Sequence, residues 1–301
     1  MAVSTSDQLP SPPDRPFGER LREAMDAHGP LCAGIDPHAA LLSAWGLPDD
    51  IEGLDAFSRI CVEAFAGEVA CVKPQSAFFE RFGSAGVAIL ERTLADLREV
   101  GTLTLLDVKR GDIGSTMGGY AQAYLGATAP LRADAITVSP YLGYGSLRPV
   151  LDLAAEQGRG VFVLALTSNP EGASVQHARL GAESVAGSVV AGVTADNAEA
   201  ARAGRLGSVG MVVGATIGSA VADLGLDLAA ADAPLLAPGI GAQGATAEDL
   251  REVFGAALGN VLASSSRDVL GAGPDVASLR ERARDVAADL RTTLSTGGDA
   301  P

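Results

Sequence analysis

Short runs of apolar residues alternate along this chain with segments in which apolar residues recur every three or four positions. Phe17, Leu21, Ala24 and Met25 have helical spacing and precede a first run, Leu31 to Ile35. Further runs occupy 69–72, 103–108, 135–138, 161–166, 210–213, 235–237 and 261–263. Between them, Phe57, Ile60, Cys61, Ala64 and Phe65 line one helical face, and Val87, Leu90, Leu94 and Leu97 line another. Helices are also predicted over 117–125, 146–157, 181–204, 217–230, 246–257 and 275–294, with an irregular insertion near 171–178. Eight strands alternating with helices predict an α/β fold, a single (β/α)8 TIM barrel over 15–294 that begins with a short N-terminal helix. Residues 1–14 and 295–301 are expected to be disordered tails. An open doubly wound sheet shares the same alternation.

The polar residues favour the barrel. They cluster just after the apolar runs: Asp36, Lys73, Asp107 with Lys109, Ser139, Thr167-Ser168-Asn169, Gly239 to Gln243, and Ser264 to Arg267. A closed barrel brings all eight strand ends to one mouth, where active sites lie.

The central stretch is Leu105-Leu106-Asp107-Val108-Lys109-Arg110-Gly111-Asp112-Ile113. Residues i and i+2 of a strand share a face, so Asp107 and Lys109 are expected side by side at a strand end. A solvated surface ion pair is the plain alternative. The apolar run argues against it, because charges at the end of a doubly buried strand must be paired or used.

A second chemistry-bearing region lies near the C-terminus. Gly239-x-Gly241-x-x-Gly244 matches the dinucleotide fingerprint, yet it follows the seventh run rather than the first and lacks the acidic residue of that motif. Its glycines still let backbone N–H groups approach an anion. Loops after the last two strands of barrels commonly bind phosphate. Arg267 has the planar fork for that task; a salt bridge to Asp268 is its alternative use.

The chain has 301 residues, 47% of them hydrophobic, and a net charge of −15. That charge argues against nucleic acid and anionic membrane as partners. A small anionic substrate would need a few focused donors. Cys32, Cys61 and Cys71 are spaced for neither zinc nor a disulfide framework and read as core residues of a reduced, cytoplasmic protein. His28, His38 and His177 form no metal motif. Neither a signal peptide nor a membrane span is expected.

Asp107-x-Lys109-x-x-Asp112-Ile113-x-x-Thr116 resembles the signature of the orotidine 5′-phosphate decarboxylase family. Gly-Ile-Asp36-Pro, Val72-Lys73-Pro-Gln-Ser, Thr167-Ser168-Asn169-Pro and Pro-Gly-x-Gly-x-Gln243-Gly extend the likeness from about Leu31 to Leu270, and it is to the longer-chain bacterial branch. The resemblance implies decarboxylation of orotidine 5′-monophosphate to uridine 5′-monophosphate without metal or cofactor. It implies an alternating array of Lys73, Asp107 and Lys109, with Asp112 from a partner subunit, and Lys109 as proton donor. Asp36 and Lys73 would hold ribose hydroxyls. Ile113 and Thr116 would reach across a homodimer interface. Ser168 would hydrogen-bond the pyrimidine, and Gln243 and Arg267 would hold the phosphate; Asn169 and Ser266 would also bind substrate, with capping of the turn before Pro170 as the alternative use of the less closely matched Asn169. Two departures stand out: Gly114 where many relatives have proline, and Ser266 where others have glycine.

Two other readings share some of these features. One is a magnesium-dependent sugar-phosphate barrel enzyme with the same Asp-x-Lys-x-x-Asp motif; Lys73 occupies a position where it would want a metal ligand. The other is a nucleotide-binding barrel without turnover.

Overall fold

The structure, a computed structural model, describes residues 15–240 and 245–295. The expected tails at 1–14 and 296–301 lie outside the described residues, and Ser295 is the last residue of a helix. The eight parallel strands are β1 Leu31–Ile35, β2 Cys71–Pro74, β3 Leu105–Arg110, β4 Ala135–Val138, β5 Gly160–Leu166, β6 Val209–Val213, β7 Leu235–Pro238 and β8 Val261–Ser265. Every pair of consecutive strands except β2–β3 forms a parallel ladder, and β8 pairs back onto β1. The end strands β2 and β3 meet through single bridges, Val72 to Thr104 and Gln75 to Asp107. The sheet thus curls into a barrel, and the open-sheet alternative fails.

The two-residue period of the strands divides the apolar residues into two cores. Cys32, Cys71, Leu105, Ala135, Phe162 and Leu262 belong to an inner cluster, which Phe17, Leu21 and Met25 of the helix Phe17–His28 complete. That helix closes the barrel at the end where the strands begin. The Phe17 ring meets Phe162 edge to face, with centroids 6.0 Å apart. A Cβ on Gly160 would lie 2.4 Å from the Phe17 ring, so only glycine fits at the start of β5. The outer cluster packs the other strand face, including Leu31, Val72, Ile136 and Val261, against the surrounding helices. Helix starts are set locally: Asp50 accepts the N–H groups of Glu52 and Gly53 at 3.0 Å, and Thr246 with Asp249 forms a reciprocal cap.

Three sequence expectations need correction. β2 starts later than its apolar run and carries Lys73 within it. The predicted helix over 217–230 is reduced to Ala220–Asp223. Gly218 and Gly225 take positive φ, and Asp227 ties the N–H groups of Ala229 and Ala230 into a turn, so the chain cannot continue helically. The insertion after β5 holds a short helix, Ala173–Gln176, and a hairpin of Arg179–Leu180 with Glu183–Ser184; the helix that follows spans Val185–Arg202. Among the described residues, no helix is long and apolar enough to cross a membrane.

Candidate active site

The mouth of the barrel has a polar half and an apolar half. Lys73, Asp107 and Thr137 come from β2, β3 and β4, whereas β5, β6 and β7 contribute Leu164, Val212 and Leu236. With the following loops they line a cavity of about 390 Å3, the size of a small-molecule site.

Asp107 is the centre of this layer. Its Oδ1 and Oδ2 lie 2.6 and 2.8 Å from Lys109 Nζ, and Oδ2 lies 3.4 Å from Lys73 Nζ. The Thr137 hydroxyl donates to Oδ1 at 2.7 Å. Burial pushes the Asp107 carboxyl upward, but the two ammonium groups and Thr137 outweigh it and hold it below the usual carboxylate range. Lys73 is as deeply buried. Burial pulls its ammonium down, yet Asp36 and Asp107 outweigh that effect and hold it above the ordinary lysine value. Lys109 differs: its side chain is 47% exposed and faces the cavity. Asp36 Oδ1 is buried and accepts no hydrogen bond, with Lys73 Nζ 4.0 Å away.

The expected same-face pair is present, but a regular strand does not make it. The β3–β4 register shifts between Leu106 and Arg110, and Lys109 has a φ of 44°. A bulge of this kind re-aims a side chain, and a positive φ on a residue with a Cβ is strained. Beyond it, Arg110 is held by Glu80 at 2.7 Å and by the Tyr124 hydroxyl at 3.2 Å. Gly111 sits so close to the Ser139 carbonyl that a Cβ would lie 2.4 Å from it.

Opposite, Ser168, Asn169, Ser266 and Arg267 all line the cavity. Ser266 packs over β1 where Gly34 lacks a side chain; a Cβ there would meet Ser266 Oγ at 1.9 Å. Asp268 pairs with Arg282 at 2.7 Å, so it does not occupy Arg267. Asn169 also shapes its own turn, accepting from the Thr167 hydroxyl at 2.7 Å and donating to Glu171 at 3.0 Å. Gln243, Gly241 and Gly244 lie outside the described residues. Asp112, Ile113 and Thr116 do not line the cavity of their own chain. Ile113 is 61% exposed.

Sequence reasoning missed Thr137 and Gln75. Gln75 accepts from Lys73 Nζ and donates to the Asp107 carbonyl, both at 3.4 Å. Its place two residues after Lys73 was the available signal. Thr137 had none, because threonine in a strand reads as an ordinary strand former.

A profile of the orotidine 5′-phosphate decarboxylase / HUMPS family matches residues 29–282. The chain belongs to the orotidine 5′-phosphate decarboxylase family. The orotidine 5′-phosphate decarboxylase of Salinispora arenicola is 60% identical over 281 residues, covering 93% of this chain and 98% of its own. That of Streptomyces coelicolor is 59% identical over 282 residues, covering 93% and 99%. A crystal structure of the Streptomyces avermitilis protein assigned to the same enzyme superposes with a TM-score of 0.88 at 57% identity, covering 93% of this chain and 96% of that one. The chain is thus an enzyme, a carboxy-lyase of the orotidine 5′-phosphate decarboxylase family.

Proposed function

We propose that this chain converts orotidine 5′-monophosphate to uridine 5′-monophosphate and carbon dioxide in the cytoplasm, the last step of de novo pyrimidine synthesis, with no metal or cofactor. The observation that carries the reading is Asp107, buried and ionised between two lysines, one of which presents its ammonium to the cavity.

Loss of carbon dioxide leaves an electron pair on C6 of the pyrimidine with no ring to delocalise it. The protein must answer that charge electrostatically. Lys109 Nζ stabilises the developing carbanion and delivers the proton that replaces the carboxylate. Asp107 lies near the departing carboxylate and orients Lys109. Asp36 Oδ1, which accepts no hydrogen bond, and Lys73 supply an acceptor and a donor for ribose hydroxyls. Arg267 and Ser266, with Gln243, hold the phosphate, and Ser168 and Asn169 meet the pyrimidine edge. Phosphate contacts far from C6 contribute binding energy that orders the array.

Asp112, Ile113 and Thr116 act in the neighbouring site of a homodimer. The loops after β3 and β4 expose the large apolar side chains Ile113, Tyr141 and Leu142 (61%, 78% and 53%), which supports a subunit contact at this end of the barrel. The magnesium-dependent reading fares worse. Lys73, a buried cation paired with Asp107, stands where a metal carboxylate would be needed.

The test follows the orotate absorbance with purified protein, orotidine 5′-monophosphate and a chelator. Wild type is expected to deplete the substrate, and Lys109→Ala to lose at least about a thousandfold in kcat while still binding uridine 5′-monophosphate. Near-normal turnover of Lys109→Ala, or turnover only with added magnesium, would refute the assignment.

A further inference from the structure

Thr137 is buried at 1% exposure in β4, and its hydroxyl has three partners, all on β3. It donates to Asp107 Oδ1 at 2.7 Å. It accepts the Val108 N–H at 3.1 Å and the Lys109 N–H at 2.9 Å. Those amides lie inside the register shift between Leu106 and Arg110, where the β3–β4 ladder is interrupted. The hydroxyl therefore stands in for a missing ladder partner, accepting the buried Val108 N–H and the partly buried Lys109 N–H. One of them belongs to Lys109, whose φ of 44° turns its side chain back over Asp107.

From this geometry we infer that Thr137 is a positioning residue for the decarboxylation, clamping the β3 bulge so that the Lys109 ammonium and the Asp107 carboxylate are held in fixed relation at the mouth. The inference rests on the reaction proposed above. Thr137 sits in the cavity wall with its hydroxyl turned onto β3, so it acts through the backbone of Lys109 and the carboxylate of Asp107. The other groups facing Asp107 are Lys73 and Gln75 from the β2 side and Lys109 from β3 itself. Among the described residues, the Thr137 hydroxyl is the side-chain acceptor recorded for both bulge amides.

Thr137→Val removes the hydroxyl and keeps the shape. Its kcat is expected to fall about 10- to 100-fold, the scale of a misplaced catalytic group. KM and the affinity for uridine 5′-monophosphate should stay within about threefold, because the binding groups lie on other strands. Thr137→Ser retains the hydroxyl and should keep kcat within about threefold of wild type, a rescue that a packing role for the methyl group would not produce. If the valine variant does not fold, Thr137→Ala removes the same hydroxyl with less bulk and carries the same expectation. A hydroxyl-free variant with wild-type kcat, or a serine variant as impaired as valine, would overturn the inference. Absence of turnover in wild type would instead remove the decarboxylase reading, and this inference with it.

Discussion

An aspartate buried at the end of a strand is costly unless its charge is answered, and Asp107 is answered from three strands at once. This cost made the site legible in the sequence. Charged residues placed directly after apolar runs cannot be idle, so Asp36, Lys73, Asp107, Lys109 and Arg267 stood out, and all five line one cavity. Thr137 carries no charge and breaks no pattern, and its role depends on a bulge that hydrophobic spacing does not encode. Arg267 yields the next residue-scale prediction. It faces the cavity without the Asp268 partner that a surface role would give it. Replacing it with alanine removes a charge-assisted contact of about 1.5–3 kcal/mol. Initial-rate kinetics on Arg267→Ala should show KM rising about 10- to 100-fold with a smaller change in kcat. An unchanged KM would remove Arg267 from the phosphate site.

Among the elements, the helix Phe17–His28 and the strand β3 show how periodicity informs and where it stops. The spacing of Phe17, Leu21 and Met25 gave the helix, but not its place, because burying an apolar face specifies no partner. The structure docks that face into the base of the barrel against Phe162. The segment 217–230 failed in the opposite way. Its Ala and Leu residues have helical propensity, but the positive φ of Gly218 and Gly225 ends each attempt within a turn. The base helix gives the element-scale prediction. Phe17→Ala should cost about 3–5 kcal/mol of stability, read as a lower urea midpoint. It should leave KM unchanged, since Phe17 packs where the strands begin and the cavity lies where they end. A rise in KM comparable with the stability loss would mean that base and mouth are coupled.

At the scale of the whole molecule, a chain of net charge −15 concentrates Lys73, Lys109 and Arg267 at one mouth. The field that draws a phosphorylated, carboxylated substrate is therefore local, and it requires every cation there to be kept in place. The array within one chain ends at Lys109, whose ammonium is half exposed and whose carboxylate partner among the described residues is Asp107. Asp112 lies on the loop just beyond, away from its own cavity, beside the exposed Ile113. If Asp112 of the partner subunit completes each site, two inactive variants can restore one another. Lys109→Ala and Asp112→Ala homodimers should each be nearly inactive. After the two are mixed equally and their subunits allowed to exchange, half the dimers are mixed. Each mixed dimer contains one site with both native residues, so activity should return to about a quarter of the wild-type value. Recovery near that fraction would establish a shared site. A mixture no more active than its parents, with exchange verified by differently tagged subunits, would mean that each chain completes its own array, and the exposed Ile113 face would then need another explanation.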